Sequence, residues 1–115
     1  MQILGLQRLT FGVDDVEIAR TFLRDWNLKC VLSTDKQGLL VTQECAEVEI
    51  CENGALELPR TVRADCGLRE NIWSVADAAS LSAIEASLGR ICDVVRSGDV
   101  LRAADRIGFS IAVTT

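Results

Sequence analysis

Between residues 6 and 13 the chain alternates between two kinds of side chain. Leu9, Phe11 and Val13 fall on one side, and Arg8, Thr10 and Gly12 on the other. A period of two is that of a strand with one buried face. Asp14 and Asp15 follow, both good helix N-caps. Val16, Ala19, Phe22, Leu23 and Trp26 then recur at helical spacing, and the helix is expected to stop near Asn27. Short strands are expected at 29–33, 39–42 and 47–51, with "DKQG" at 35–38 as a hairpin turn. The first half therefore has the order βαβββ.

Residues 52–67 contain the only proline, Pro59, and are expected to form a connector with a short extended piece at 56–58. The order then repeats. At 68–75, Asn71, Trp73 and Val75 alternate with Glu70, Ile72 and Ser74; Asp77 is the expected N-cap; Leu81, Ile84 and Leu88 form the helix stripe; Gly89 ends it. Strands at 92–96, 100–104 and 109–113 complete the half, separated by turns at "SGD" and "DRIG". Val13 and Val75, Asp15 and Asp77, and Phe22 and Ile84 all stand 62 positions apart. This constant offset points to an internal duplication. The modules are about 1–53 and 66–115, joined by a connector at about 54–65, within one domain at 1–115.

Composition narrows the function classes. A length of 115 residues suits one core, and 49% hydrophobic content argues against disorder. The formal net charge of −5 offers no basic surface to a nucleic-acid backbone. No apolar run approaches membrane-spanning length, and no secretory signal follows Met1. The expectation is a soluble cytoplasmic protein that binds neither nucleic acid nor membrane. The five cysteines, Cys30, Cys45, Cys51, Cys66 and Cys92, lack C-x-x-C spacing and are expected to be small reduced core or sheet residues. Histidine is absent, which excludes an imidazole-based metal site and a histidine-dependent hydrolytic triad.

"RLTFGVDDVEIARTFLRDWNLKC", at 8–30, resembles the opening of the vicinal oxygen chelate superfamily: a strand, V-x-D at Val13 and Asp15, a helix bearing Phe22, then Leu28. "DRIGFSIAV", at 105–113, is similar to the closing turn and strand, with Asp105 and Gly108 in place and Arg106 where proline is usual. The superfamily includes glyoxalase I, bleomycin and fosfomycin resistance proteins, and extradiol dioxygenases. The resemblance implies an α+β fold of two tandem βαβββ modules. They would form a curved, cup-like mixed sheet with helices on the outer side.

It also implies where a metal would sit. Family ligands come from the first and last strands of each module, on the concave face. The corresponding positions are Arg8, Glu49, Glu70 and Ala112. Glu49 and Glu70 are competent ligands; Arg8 brings a fixed charge and no lone pair, and Ala112 brings nothing. The expected site is degenerate and metal-free, with Arg8 paired to Glu49, Glu70 or both. The alternative is that these are ordinary solvated strand residues. Thr10, Cys51, Ile72, Ser74 and Ser110 are expected to line the cup beside them, with no nucleophile–base pair. Glu44, Glu47, Glu49 and Glu52 suggest a solvated acidic face, and Trp26 and Trp73 are expected in the core.

Three functions fit. The first is the metal-free N-terminal half of a larger dioxygenase-like protein, since the chain starts at Met1 and stops at Thr115 just after the last strand. A divalent metal, Fe or Mn, would then belong to a following domain. The second is a stand-alone dimeric protein that holds a small organic ligand. The third is a dioxygenase or glyoxalase-like lyase with an atypical carboxylate metal site. Exposed strand edges favour a partner, either a second module of the same family or a homodimer, with halves exchanged across the connector as one route.

Overall fold

The structure, a computed structural model, describes residues 2–54, 67–104 and 110–115. Strand β1 (Ile3–Val13) leads into helix α1 (Val16–Asp25), followed by β2 (Lys29–Ser33), β3 (Gln37–Val41) and β4 (Glu47–Glu52). The second module has β5 (Leu68–Val75), α2 (Ala78–Leu88), β6 (Val94–Ser97), β7 (Val100–Ala104) and β8 (Ser110–Thr114). Both expected caps form. The Asp15 carboxylate accepts the Ile18 N–H at 3.0 Å, and the Asp77 carboxylate accepts the Ser80 N–H at 2.8 Å. Asn27 ends α1 with a φ of 70°, a conformation that asparagine tolerates.

Several boundaries differ from expectation, each for a local reason. β1 begins at Ile3 because irregular pairing near Gly5 and Gln7 absorbs a stretch that lacks alternation. The β2–β3 turn lies at Asp35 and Lys36, and Gln37 and Gly38 already belong to β3, with Gly38 opposite Ser33. β6 starts at Val94 because the N–H groups of Ile91 and Cys92 both donate to the Leu88 carbonyl, prolonging the end of α2. Gly89 closes α2 with a right-handed φ of −61°, so its conformational freedom is not used. Cys45 lies exposed in a turn with a φ of 67° rather than in the core, and Cys30, Cys45 and Cys92 are free thiols. The expected piece at 56–58, the 105–108 turn, Phe109 and Cys66 lie outside the described residues.

Among the described residues, eight strands form one curved, unclosed sheet in the order β2-β3-β4-β1-β5-β8-β7-β6. Within each module the first and last strands pair in parallel (β1 with β4, β5 with β8) and the rest antiparallel. The modules join through antiparallel pairing of β1 with β5. Leu9 lies opposite Asn71, 62 positions later, so the pseudo-twofold axis of the duplication passes between them. This is the α+β, twofold βαβββ architecture that the sequence resemblance implied. No helix among the described residues is long and apolar enough to cross a membrane.

The helix-facing side holds two separate apolar clusters. Val16, Leu40 and Ile50 centre the first, and Val75, Leu81, Ile84, Leu101 and Val113 form the second. α1 is rotated from the expected stripe. Val16 and Arg20 are buried, Ala19 and Leu23 pack on the first cluster, and Phe22 and Trp26 point outward at 60% and 70% exposure. Arg20 can face the sheet because its guanidinium donates to the carbonyls of Thr34 and Gln37 at the β2–β3 turn and to the Glu17 carboxylate. Trp73, also expected in the core, is 39% exposed and belongs to neither cluster; its indole N–H donates to the Asn71 side chain.

Candidate functional site

Residues directly opposite each other on neighbouring strands share a face. Thr10 lies opposite Glu49 on one side and Glu70 on the other; Glu70 faces Ser110, and Ile72 faces both Arg8 and Ala112. Gly12 faces Cys51, and Ser74 faces Thr114. The pleat therefore brings all nine expected residues, Arg8, Thr10, Glu49, Cys51, Glu70, Ile72, Ser74, Ser110 and Ala112, to the side away from the helices. The offset of 62 slips by one residue between the last strands of the two modules. Glu49 and Ala112, 63 positions apart, hold equivalent places opposite Thr10 and Ile72, which are 62 apart.

The charges on this face form two clusters. In the first, Arg8 reaches Glu47 at 3.2 Å and Glu49 at 3.5 Å. Glu49 accepts two further hydrogen bonds, from the Gln37 amide at 2.9 Å and the Thr10 hydroxyl at 3.4 Å. The second centres on the buried Glu70, which accepts from Arg102 and from the Ser110 hydroxyl, both at 3.2 Å. Of the two expected pairings for Arg8, Glu49 is found, and Glu70 takes Arg102 instead. Thr10 on β1 lies between the two acids, which therefore stand two strand spacings apart, about 10 Å between their backbones.

Sequence reading missed Glu47, Gln37 and Arg102. Glu47 was assigned to a solvated face, although its place two residues before Glu49 puts it on the same side as Arg8. Arg102 and Gln37 carry the same period-two signal on β7 and β3, but the resemblance points only to the first and last strands of each module. At one end of the cup, an extra residue in β5 between the Thr10–Glu70 and Phe11–Leu68 pairs makes a bulge at Arg69. The Arg69 guanidinium then lies over Gly12, where a Cβ would come within 3.0 Å of it and 2.5 Å of the Asn53 side-chain oxygen. Arg69 donates to that oxygen at 3.1 Å, and the Asn53 amide donates to Asp14. A Cβ at 12 would push these two side-chain ends aside, so the Arg69–Asn53 contact in this place is built on a glycine.

The four positions implied for a metal do not fit one. Arg8 has no lone pair to offer. Ala112 is fully buried and has no donor. The oxygens of Glu49 and Glu70 are already engaged by arginine, amide and hydroxyl donors. Among the described residues, no group of three or more His, Cys, Asp or Glu side chains is placed to hold an ion. A guanidinium beside Glu47 and Glu49 supplies the positive charge that a cation would bring, at a site where a second cation would be repelled.

No protein-family model matches the chain, and no characterised protein matches it by sequence. Solved structures do match. An extradiol ring-cleaving dioxygenase from B. fuscum superposes with a TM-score of 0.76 at 18% identity, over 98% of this chain and 32% of that one. Methylmalonyl-CoA epimerase from Mycobacterium tuberculosis gives 0.66 at 15%, over 98% of this chain and 88% of that one. A glyoxalase/bleomycin resistance protein/dioxygenase superfamily member from Vibrio splendidus gives 0.60 at 14%, over 94% and 97%. The chain thus spans about a third of the length of the dioxygenase. At these identities the likeness is one of fold, and that fold is the one implied by the resemblance to the vicinal oxygen chelate superfamily.

Proposed function

We propose that this chain is a metal-free, non-catalytic domain that serves as the N-terminal half of a larger dioxygenase-like protein. The observation that carries this reading is the Arg8 guanidinium, paired with Glu47 and Glu49 where the fold's active members hold a metal. The match to one third of a ring-cleaving dioxygenase chain supports it. On this reading Fe or Mn belongs to another domain of the longer protein, and this domain supplies a packing surface.

A second reading is a stand-alone protein that binds a small organic molecule in the cup. It is favoured by the epimerase and the Vibrio protein, whose chains are matched over 88% and 97% of their length. The half-exposed Arg102 would then meet the ligand first. The length of the natural reading frame separates the two readings.

The metal claim is tested by equilibrating the purified chain with Fe²⁺ or Mn²⁺ without oxygen, followed by gel filtration and elemental analysis. The expected result is far less than one metal per chain and no ring cleavage of a catechol. A stoichiometric metal surviving filtration would overturn the proposal.

A further inference from the structure

Helix α1 carries more apolar surface than its own sheet uses. Ile18, Phe22 and Trp26 are spaced four residues apart and form one ridge along the helix, with exposures of 68%, 60% and 70%. The Phe22 and Trp26 rings are in tilted contact at 6.2 Å, so the ridge is continuous. Beside it runs an open apolar groove of about 540 Å³, walled by Ile18 and Phe22 on the helix and by Phe11, Val13, Val48 and Ile50 on β1 and β4. A small apolar ligand could fill the groove, but it would leave the outer faces of the ridge in water. Covering both takes a protein surface.

Two features point to a second copy of the chain. First, ridge and groove lie side by side on one patch. An isologous interface needs this, because a twofold axis sets each copy's ridge against the other's groove. Second, the charges are asymmetric along the helix. Asp14, Asp15 and Glu17 lie at its N-terminal end, and Arg24, Asp25 and Lys29, together net positive, at or just beyond its C-terminal end. An antiparallel arrangement sets the acidic end of one helix against the basic end of the other; a parallel one opposes like charges.

We propose that α1 is a self-association surface. Two copies pack their α1 helices antiparallel about a twofold axis near Phe22, each placing the edge of its ridge in the other's groove. This goes beyond the function proposed above, since it concerns the helix side and leaves the cup open.

The test is sedimentation velocity of the full chain over a micromolar concentration series. Wild type is expected to dimerise, and Phe22→Asp to remain monomeric at the highest concentration, with an unchanged circular dichroism spectrum because Phe22 is outside the core. Ile91→Asp, an equally exposed apolar residue beyond α2, is expected to leave the dimer intact. Arg24→Glu is expected to weaken association at least tenfold, and less so at high salt. Phe22→Cys combined with Cys45→Ser is expected to give, under oxidising conditions, a disulfide-linked dimer that Cys45→Ser alone does not give. A wild-type monomer throughout the series would overturn the proposal, whether or not an apolar dye fills the groove. So would a dimer that survives Phe22→Asp, because its interface must then lie elsewhere, on an edge strand or in exchanged halves.

Discussion

The two modules make the same ties with the charged partners exchanged. In the first, Arg20 on α1 reaches across to the backbone of the β2–β3 turn. In the second, Arg96 on β6 reaches back to Ser82 and Glu85 on α2. Ser82 stands 62 positions after Arg20, so helix and hairpin have traded donor for acceptor. The cup shows the same inversion. Arg8 on β1 pairs with carboxylates on β4, whereas Glu70, at the equivalent place on β5, pairs with an arginine on β7. A duplicated fold thus keeps the place where a polar tie is needed and not the sign of the residue supplying it. Each module engages its own acids, so the concave face holds two separate ion-pair clusters, one arginine against two carboxylates in the first and one against one in the second.

The largest expected effects treat the modules alike. Leu40 and Leu81 are fully buried, one in each apolar cluster. Leu40→Ala and Leu81→Ala should each destabilise by about 3 kcal/mol, within a range of roughly 2–5, in urea denaturation. A much smaller loss for one would mean that its module is poorly packed. The helix ties should then split the modules. Arg20 is almost fully buried and holds two carbonyls, so Arg20→Met should cost about 2 kcal/mol. The Arg96–Glu85 pair is partly exposed, and Arg96→Met should cost less than about 1 kcal/mol. Equal losses would contradict the difference in burial.

The smallest effect is one of pH. The backbone N–H of Ser80, and then its hydroxyl, hold the Asp77 carboxyl below its ordinary value of 3.8. A depressed folded-state value adds stability above the unfolded value, and this is lost as pH falls through the folded one. The difference in urea midpoint between wild type and Asp77→Ala should therefore shrink as pH is lowered from about 7 to about 3. A constant difference would show that the cap acts without its charge.

Much of the molecule was legible because two periods carry it. Alternation placed Arg8, Thr10, Glu49 and Glu70 on one face, and the offset of 62 set the modules against each other. Partners across strands were less legible. Whether Arg8 meets Glu49 or Glu70 depends on side-chain reach in the folded sheet, and Arg102 enters from a strand that carries none of the implied metal positions. The rotation of α1 was hidden for a different reason. An apolar stripe containing Phe22 and Trp26 suggests the core, yet Arg20 takes the sheet-facing place because free carbonyls await it at the β2–β3 turn.

The account rests on Arg8 belonging to the first module's cluster, in the role of a cation. Double-mutant cycles measured by urea denaturation at neutral pH test this directly, with Arg8→Gln paired in turn with Glu49→Gln and Glu70→Gln. The predicted coupling is about 1 kcal/mol for Arg8 with Glu49, and within about 0.3 kcal/mol of zero for Arg8 with Glu70. No coupling to Glu49, or a larger coupling to Glu70, would contradict the picture of two separate ion-pair clusters.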